Sequence, residues 1–131
     1  MSDYNSNFSG DQVVELLNTI PRLAKADLSN AMTVSLNQNG YAKFNNGLLI
    51  QWGYFSTGAS NGQSVNFPIS FKSCFSLAFS SSTDNTDNSI WSVNYAAIYA
   101  SYFTVYRRYA NAGSVSPSSQ SFRWIAIGSW K

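Results

Sequence analysis

Near the start of the chain, apolar residues recur at the spacing of an α-helix. The stripe consists of Val13, Val14, Leu16, Leu17 and Ile20. Ser9 and Gln12 match a capping box in front of it, and Pro21 ends it, so the pattern predicts a helix of about three turns. A helix this short is marginal in water. Its apolar stripe therefore needs a partner, either its own domain or further copies of the helix around an axis.

Polar segments flank the predicted helix. Residues 1–8 are rich in Asn and Ser and are interpreted as a frayed start. Residues 22–39 lack a sustained apolar period and repeat Asn, Ser and Asp, so they are predicted to form a linker. The sequence therefore predicts an N-terminal segment of helix and linker over residues 1–39, followed by a second domain over residues 40–131.

From residue 41 onwards the pattern changes to short runs rich in aromatic and β-branched residues. The predicted strands are 41–44, 48–55, 64–67, 75–80, 91–95, 102–106 and 122–130. The dipeptide Asn46-Gly47 predicts a tight turn between the first two, because both residues tolerate positive φ. Short strands at these spacings are typical of a mainly β fold, an antiparallel β-sandwich or barrel-like domain.

Two of the predicted strands are apolar on both faces. In the segment 122–127 both the even and the odd positions are apolar after Arg123. Leu48, Ile50 and Trp52 likewise share one face of their strand, with Leu49 on the other. A strand at the centre of a sheet, or one covered by a neighbouring subunit, has this composition. A small sandwich needs only one dry face per strand, so the excess favours association of several chains.

Composition shows that the chain folds around a core while carrying few charges. Hydrophobic residues make up 44% and aromatic residues 16%, whereas charged residues make up only 11%. The 23 Ser and 14 Asn supply the polar surface. A net charge of +2 argues against nucleic acid as the main partner. No segment approaches the length of a membrane span or has the pattern of a cleaved signal, so we expect neither membrane insertion nor signal-dependent export.

Several kinds of catalytic and metal site are excluded by the residue types present. The chain has no His, which removes Ser-His-Asp and Cys-His nucleophiles and imidazole metal ligands. Cys74 is the single cysteine and is interpreted as a small core residue. Asp84 and Asp87 lie three residues apart in a polar loop, and fit neither a glycosidase pair nor a calcium site. We therefore predict no enzyme activity, no metal and no cofactor.

Amphipathic rings are concentrated in the second half of the chain. They are Trp91, Tyr95, Tyr99, Tyr102, Tyr106 and Tyr109, beside Arg107 and Arg108. Such rings suit stacking on a sugar or contact with a protein loop, and Arg forks suit phosphate or carboxylate groups. The candidate binding residues are Trp91, Tyr95, Tyr99, Tyr106, Arg107, Arg108 and Tyr109. The alternative is that the rings pack the sandwich or a contact between copies. Polar loops are predicted at residues 80–88 and 110–120.

Four segments occur together in an order that is specific. They are 47–53 (GLLIQWG), 65–71 (VNFPISF), 103–106 (FTVY) and 121–128 (SFRWIAIG). In this arrangement the chain resembles the C-terminal domain of tail-fibre proteins from contractile-tailed phages, prophages and R-type pyocins. The resemblance covers about residues 40–131. It is weakest between residues 80 and 121, where only 103–106 can be matched.

The resemblance implies an intertwined homotrimer at the far end of a fibre, attached to the rest of the fibre or to the baseplate. It also implies binding to a bacterial surface glycan, such as lipopolysaccharide or capsular sugar, or to an outer-membrane receptor. The expected location is the virion tail fibre, after synthesis in the host cytoplasm and release by lysis. The matched residues are expected to be core. They include Trp52, Phe67, Phe71, Phe103, Val105, Trp124 and Ile127.

Two other functions remain open from the residues alone. A monomeric carbohydrate-binding module of another protein would use the same aromatic β composition. A depolymerase tip would need acids placed in a groove. The receptor specificity of a fibre tip is expected between residues 80 and 120, where the family resemblance is weakest and the density of rings is highest.

Overall fold

The computed structural model describes residues 9–56, 58, 62–81 and 89–131. Contacts between residues divide the chain into two compact units, Met1–Thr33 and Val34–Lys131. The division comes before the predicted boundary at residue 39, because the strand β1 (Met32–Ser35) begins inside the predicted linker. The residues 1–8 that were interpreted as a frayed start lie outside the described residues.

The first unit contains the predicted helix. Helix α1 (Gly10–Thr19) begins with the full capping box: Gln12 N donates to Ser9 Oγ at 3.3 Å, and Ser9 N donates to Gln12 Oε1 at 2.8 Å. A single 3₁₀ turn over Ile20–Arg22 contains Pro21 and ends the helix. The helix prediction is confirmed. No residue of α1 is buried, and its apolar side chains are 40–59% exposed.

The second unit is an antiparallel β-sandwich of two sheets. The first sheet has the order β1-β2-β3-β9-β5, and the second has the order β4-β7-β6 with β8 paired to β7. Besides β1, the strands are β2 (Gly40–Phe44), β3 (Leu48–Phe55), β4 (Gln63–Asn66), β5 (Ser73–Ser81), β6 (Ile90–Ile98), β7 (Tyr102–Asn111), β8 (Ser114–Pro117) and β9 (Phe122–Ser129). The predicted mainly β class is confirmed.

The predicted turn at Asn46-Gly47 fixes the register of the first sheet. Gly47 has φ +106°, and its N–H donates to Phe44 O at 3.0 Å. β2 and β3 then pair with Gly40 opposite Trp52, and β3 pairs along its whole length with β9. β9 therefore lies between β3 and β5, in the middle of the sheet.

The core lies between the two sheets. Its buried apolar residues are Leu49, Val65, Phe67, Phe71, Phe103, Val105, Phe122, Trp124 and Ala126. Trp124 of β9 meets Phe103 of β7 edge to face, with ring centroids 5.3 Å apart, and meets Phe67 at 5.6 Å. These contacts join the sheets through aromatic rings, which contribute both burial and favourable edge-to-face geometry.

The two apolar faces of β9 have different environments. Phe122, Trp124 and Ala126 point into the core, whereas Ile125 and Ile127 are 45% and 38% exposed on the outside of the sheet. The strand was expected either at the centre of a sheet or beneath a neighbouring subunit, and the structure places it at the centre of a sheet. Within the described chain, no residue covers its outer face completely. The expectation that Ile127 is core is therefore wrong.

The outer face of β3 is also apolar. Trp52 is only partly buried, because its directly paired neighbours Gly40 and Ile125 lie on the outer face. The core-facing positions of this strand are instead Leu49, Gln51 and Gly53. The expectation that Trp52 is a core residue was wrong, since the more apolar face of β3 is the outer one.

Two strands were not predicted. β1 lies in the expected linker, and its four residues are too few to show alternation. β8 lies in the expected loop 110–120, and all four of its residues are exposed, so it has no apolar pattern to detect. β7 also continues to Asn111, beyond its predicted end at residue 106. No helix in the described residues is long and apolar enough to cross a membrane.

Candidate functional site

Most of the candidate binding residues lie on one hairpin, formed by β6 and β7. The register places Trp91 opposite Tyr109, and their rings contact at a centroid distance of 5.0 Å and an interplanar angle of 33°. Both residues are partly exposed. The Trp91 Nε1 atom is buried and has no hydrogen-bond partner among the described residues. Of the predicted binding residues, the structure therefore brings Trp91 and Tyr109 into contact as an aromatic pair.

Arg107 does not lie on the surface. It is 1% exposed, and it donates from Nη1 to Gln120 O at 2.8 Å and from Nη2 to Gly58 O and Gln63 Oε1. Its guanidinium also lies 5.2 Å from the Phe55 ring centroid. Burial lowers the pKa of Arg107 from its ordinary value, since desolvation disfavours the charged form.

This position corrects the expectation that the Arg107 side chain is exposed for binding, whereas Arg108 is partly exposed. Successive residues of a strand point to opposite faces, and Phe103 and Val105 already face the core. The period of two therefore takes Arg107 inward, and the sequence contained this signal. Arg107 is buried in this structure, where its hydrogen bonds hold Gly58, Gln63 and Gln120.

Tyr106 and Arg108 lie on the outer face of the second sheet. The Arg108 guanidinium is 5.2 Å from the Tyr106 ring centroid, a cation–π contact between residues two apart on the strand. Tyr106 is 38% exposed, and the nearby Ile90 and Val115 are 71% and 66% exposed. Tyr106 and Arg108 therefore form a second cluster, on the face opposite to Trp91 and Tyr109.

The remaining two candidates are separate from both clusters. Tyr95 is 53% exposed and lines the seam between β5 and β6, together with Leu77 and Phe79. Tyr99 lies in the turn between β6 and β7, where its ring stacks on Tyr102 at 4.5 Å. At about 3.3 Å per residue, the Trp91 and Tyr99 positions are roughly 26 Å apart along the hairpin. One compact site cannot contain both.

The connections between strands cluster at one end of the sandwich. β3 and β5 end there and β9 begins there, as the pairing of Phe55 and Ser81 with Phe122 shows. The second half of β7 joins the same end through Ser118 N, which donates to Arg107 O at 3.0 Å. We call this the loop end. The predicted polar loop 80–88 starts here, and residues 82–88 lie outside the described residues.

Buried polar groups that the sequence did not reveal hold the loop end together. Gln120 and Ser118 are 9% and 3% exposed, although their sequence context is that of a solvated loop. Gln120 Nε2 donates to Ser81 Oγ at 2.5 Å, and Gln120 O accepts from Arg107. These contacts link the segment before β9 to β5 and β7. Buried polar groups that hydrogen-bond one another fix the local backbone geometry. The loop end therefore has a framework of buried hydrogen bonds beneath its surface.

The charges of the chain are unevenly distributed. Residues 34–131 contain six basic and two acidic residues, a net charge of +4, whereas residues 1–33 contain two basic and four acidic residues, a net charge of −2. The total of +2 conceals this asymmetry. The two acids of the second unit, Asp84 and Asp87, lie outside the described residues. The sandwich therefore presents a field that attracts anions.

Two observations concern the chemistry of metals and thiols. No group of three or more potential metal ligands occurs among them. Burial raises the pKa of the Cys74 thiol, which keeps it protonated at neutral pH. Because Asp84 and Asp87 are not described, the absence of a cation or an acid pair there stays a prediction.

The sandwich matches the model of a known protein family. Residues 43–129 match a family described as putative tail fiber protein gp53-like, C-terminal. The match runs from the end of β2 to the end of β9, so it covers most of both sheets. No curated protein matches the sequence.

Solved pyocin fibres have a similar fold. An N-truncated R2-type pyocin tail fibre aligns with a TM-score of 0.62 and 18% identity over 98% of this chain and 54% of that one. An N-truncated R1-type fibre gives 0.61 and 18% over 97% and 99%. A C-terminal part of the P. aeruginosa R2 pyocin fibre gives 0.59 and 18% over 98% and 38%.

This chain therefore spans about half the length of the first R2-type fibre chain, and at this identity the likeness is one of fold. The family match carries the assignment, and it agrees with the resemblance seen in the sequence. The chain belongs to the family of gp53-like tail fibre proteins, and its residues 43–129 correspond to their C-terminal domain.

Proposed function

We propose that this chain is the receptor-binding tip of a phage tail fibre, which works as a homotrimer and binds a glycan on the bacterial surface. The observation that carries the proposal is the loop end, where buried hydrogen bonds hold the framework that presents the Trp91–Tyr109 pair beside the connections between strands. Aromatic rings with polar edges suit sugar faces. Rigid β scaffolds commonly present recognition residues on such connections.

The electrostatics favour an anionic receptor. The net charge of +4 on residues 34–131 would attract phosphate or carboxylate groups, which are frequent in bacterial surface glycans. Arg108 supplies a guanidinium next to Tyr106, on the outer face of the second sheet. The proposed contacts are thus two: the Trp91–Tyr109 pair at the loop end, and Arg108 with Tyr106 on the opposite face of the second sheet. Arg107 lies buried between the strands, and Tyr95 and Tyr99 belong to neither contact.

Association into a trimer would cover the exposed apolar surfaces. The apolar sheet face consists of Leu48, Ile50, Trp52, Ile125 and Ile127. In it Ile50 pairs directly with Ile127, and Trp52 pairs with Ile125, which makes a continuous patch across β3 and β9. Monomeric proteins seldom expose such patches. The exposed stripe of α1 needs a partner for the same reason, and three copies of the helix around an axis would provide one.

The proposed role is adhesive and without catalysis, and its site is the virion tail after synthesis in the host cytoplasm. Within the described residues no acidic side chain lies in residues 34–131, so this part of the sandwich offers no carboxylate pair for glycoside cleavage. The rest of the fibre would be a further partner of the chain.

Native mass spectrometry of the purified chain tests the assembly. The proposal predicts a species of three chains, each of 14.4 kDa. The double variant Ile125→Asp/Ile127→Asp should dissociate it, because charges on the apolar sheet face would be desolvated in the trimer. Val115→Asp, an exposed apolar position on the other sheet, is the matched control and should leave three chains together. A monomeric wild-type chain would instead favour a single carbohydrate-binding module.

Binding of the labelled protein to intact bacteria tests recognition. Tyr109→Ala and Arg108→Ala should each weaken adsorption while the trimer persists. A loss of about 1.4 kcal/mol per site is a tenfold loss of affinity at that site. Because three equal sites bind together, the losses at the three sites combine and stable adsorption should fail. Tyr99→Ala, at the opposite end of the hairpin, should leave adsorption unchanged. Release of reducing ends from the polysaccharide would instead indicate a depolymerase.

A further inference from the structure

A cavity of about 390 Å³ opens between the two sheets, away from the Trp91–Tyr109 pair. It lies between the end of β3, the strand β4 and the Trp124 ring, and Asn39 forms part of its wall. Its volume falls in the range of small-molecule sites. None of its nine lining residues carries a charge, so the cavity offers only neutral polar groups and rings.

The Trp124 indole is the unusual group in this wall. Trp124 is 3% exposed, yet its Nε1 atom has no hydrogen-bond partner among the described residues. Buried donors in native proteins are nearly always paired, and an exception calls for a reason. The Nε1–H group needs an acceptor that the described part of this domain does not supply.

The position of Gly53 shows where this donor lies. A Cβ atom at Gly53 would be 2.6 Å from Trp124 Cε2, the carbon bonded to Nε1, and 2.6 Å from Asn39 Oδ1. The absent side chain therefore lets the indole edge and the Asn39 amide approach the same point of β3. Asn39 Oδ1 accepts from Tyr54 N at 2.8 Å, which fixes this amide in the wall.

Strand β4 adds a row of backbone groups. It pairs only with β7 in the described sheet, so its other edge carries no strand. Phe67 N donates to Ser101 O at 2.9 Å on the β7 side, so the N–H and C=O groups of Ser64 and Asn66 point the opposite way. Residues 64–68 all line the cavity, which places this free edge along its wall.

From this arrangement we propose that the cavity is a second binding site, specific for a neutral saccharide unit. Hydroxyl and acetamido oxygens would accept from Trp124 Nε1 and from the β4 backbone, and hydroxyl hydrogens would donate to the β4 carbonyls. The Trp124 indole and the Phe67 ring would supply the apolar part of the cavity wall. The choice of a saccharide rests on the proposed glycan receptor, but none of the proposed contact residues Trp91, Tyr106, Arg108 and Tyr109 lines this cavity.

The test is a titration of the full chain, labelled with ¹⁵N in its Trp indoles, with neutral hexoses, deoxyhexoses, heptoses and N-acetylhexosamines and their disaccharides. The four indole signals are assigned with single Trp→Phe variants. At least one sugar should shift the Trp124 signal saturably and leave those of Trp52, Trp91 and Trp130 in place. Trp124→Phe, which deletes the donor, should weaken this sugar at least tenfold, measured by saturation-transfer NMR. Trp130→Phe should not.

Two results would overturn the proposal. One is a Trp124 signal that no sugar of the panel moves at millimolar concentration. The other is a Trp124 signal that changes with protein concentration instead, since the free β4 edge would then bind a second copy of this chain. Adsorption to cells without any Trp124 shift would reject only this site. A Trp124 shift without adsorption to any cell would reject the proposed function.

Discussion

Replacing Arg107 by Met should be among the most damaging single substitutions in the sandwich. The guanidinium donates to Gln120 O, Gly58 O and Gln63 Oε1 and lies against the Phe55 ring. A hydrogen bond from a charged donor contributes about 1.5–3 kcal/mol. Met would keep much of the volume but leave these oxygens without this donor. Relief of the desolvation of Arg107 offsets part of the loss, so the net cost is about 3–5 kcal/mol.

The adjacent Arg108→Met variant is the matched control. Arg108 is partly exposed and contacts the Tyr106 ring, so its loss should cost less than about 1 kcal/mol. Urea unfolding followed by near-ultraviolet circular dichroism should show a large drop in midpoint for Arg107→Met and little for Arg108→Met. Equal midpoints for the two variants would refute the buried position of Arg107. Simultaneous replacement of both arginines would mix loss of folding with loss of binding.

Two further predictions test the packing and the protonation of the first sheet. Gly128→Ala should destabilise the fold by about 1–3 kcal/mol or prevent folding, because its Cβ would lie 2.1 Å from the Ser73 carbonyl oxygen. Gly10→Ala is the control, because a Cβ there would have no atom within 4 Å. Equal urea midpoints for the two variants would contradict tight pairing between β5 and β9. The Cys74 thiol should react slowly with iodoacetamide at neutral pH, because burial raises its pKa above the ordinary 9.0. A raised thiol pKa means that its contribution to stability is intact at lower pH and falls as the pH rises through the folded-state pKa; alkylation at pH 7 as fast as that of a free thiol would contradict this assignment.

The elements with the strongest local signals were predicted well. The capping box of Ser9 and Gln12 located α1, and the Asn46-Gly47 turn located the β2–β3 hairpin, because both depend on adjacent residues. Strands β1 and β8 were not predicted, since a short edge strand of four residues has no apolar period. Their formation depends on a neighbouring strand rather than on their own composition.

The candidate site was predicted in part. Composition located the rings on β6 and β7, but only the register reveals that Trp91 meets Tyr109 while Tyr99 lies at the far end of the hairpin. Arg107 could have been placed in the core from the alternation of Phe103 and Val105. The burial of Gln120 could not have been predicted from the sequence, because it depends on contacts with β5 and β7.

The outer face of β3 shows why the core was partly misassigned. Apolar residues at Ile50 and Trp52 indicate a buried face, but the structure places Gln51 inward, where it bonds both Ile69 O and Ile69 N through its amide at 2.8 and 2.9 Å. A buried amide that satisfies backbone groups is invisible to an analysis of apolar periodicity. The apolar residues left outside form the sheet face that the proposed trimer would cover.

The proposed function requires that the loop end of a trimeric tip binds a surface glycan. The most direct measurement is binding of the labelled wild-type protein and of the Tyr109→Ala/Arg108→Ala variant to a panel of intact bacteria, with and without periodate oxidation of their surface sugars. Wild-type protein should bind at least one strain, periodate should abolish this binding, and the double variant should remain trimeric but should not bind. Equal binding by the trimeric variant, or binding that survives periodate but not protease treatment of the cells, would contradict the proposed function.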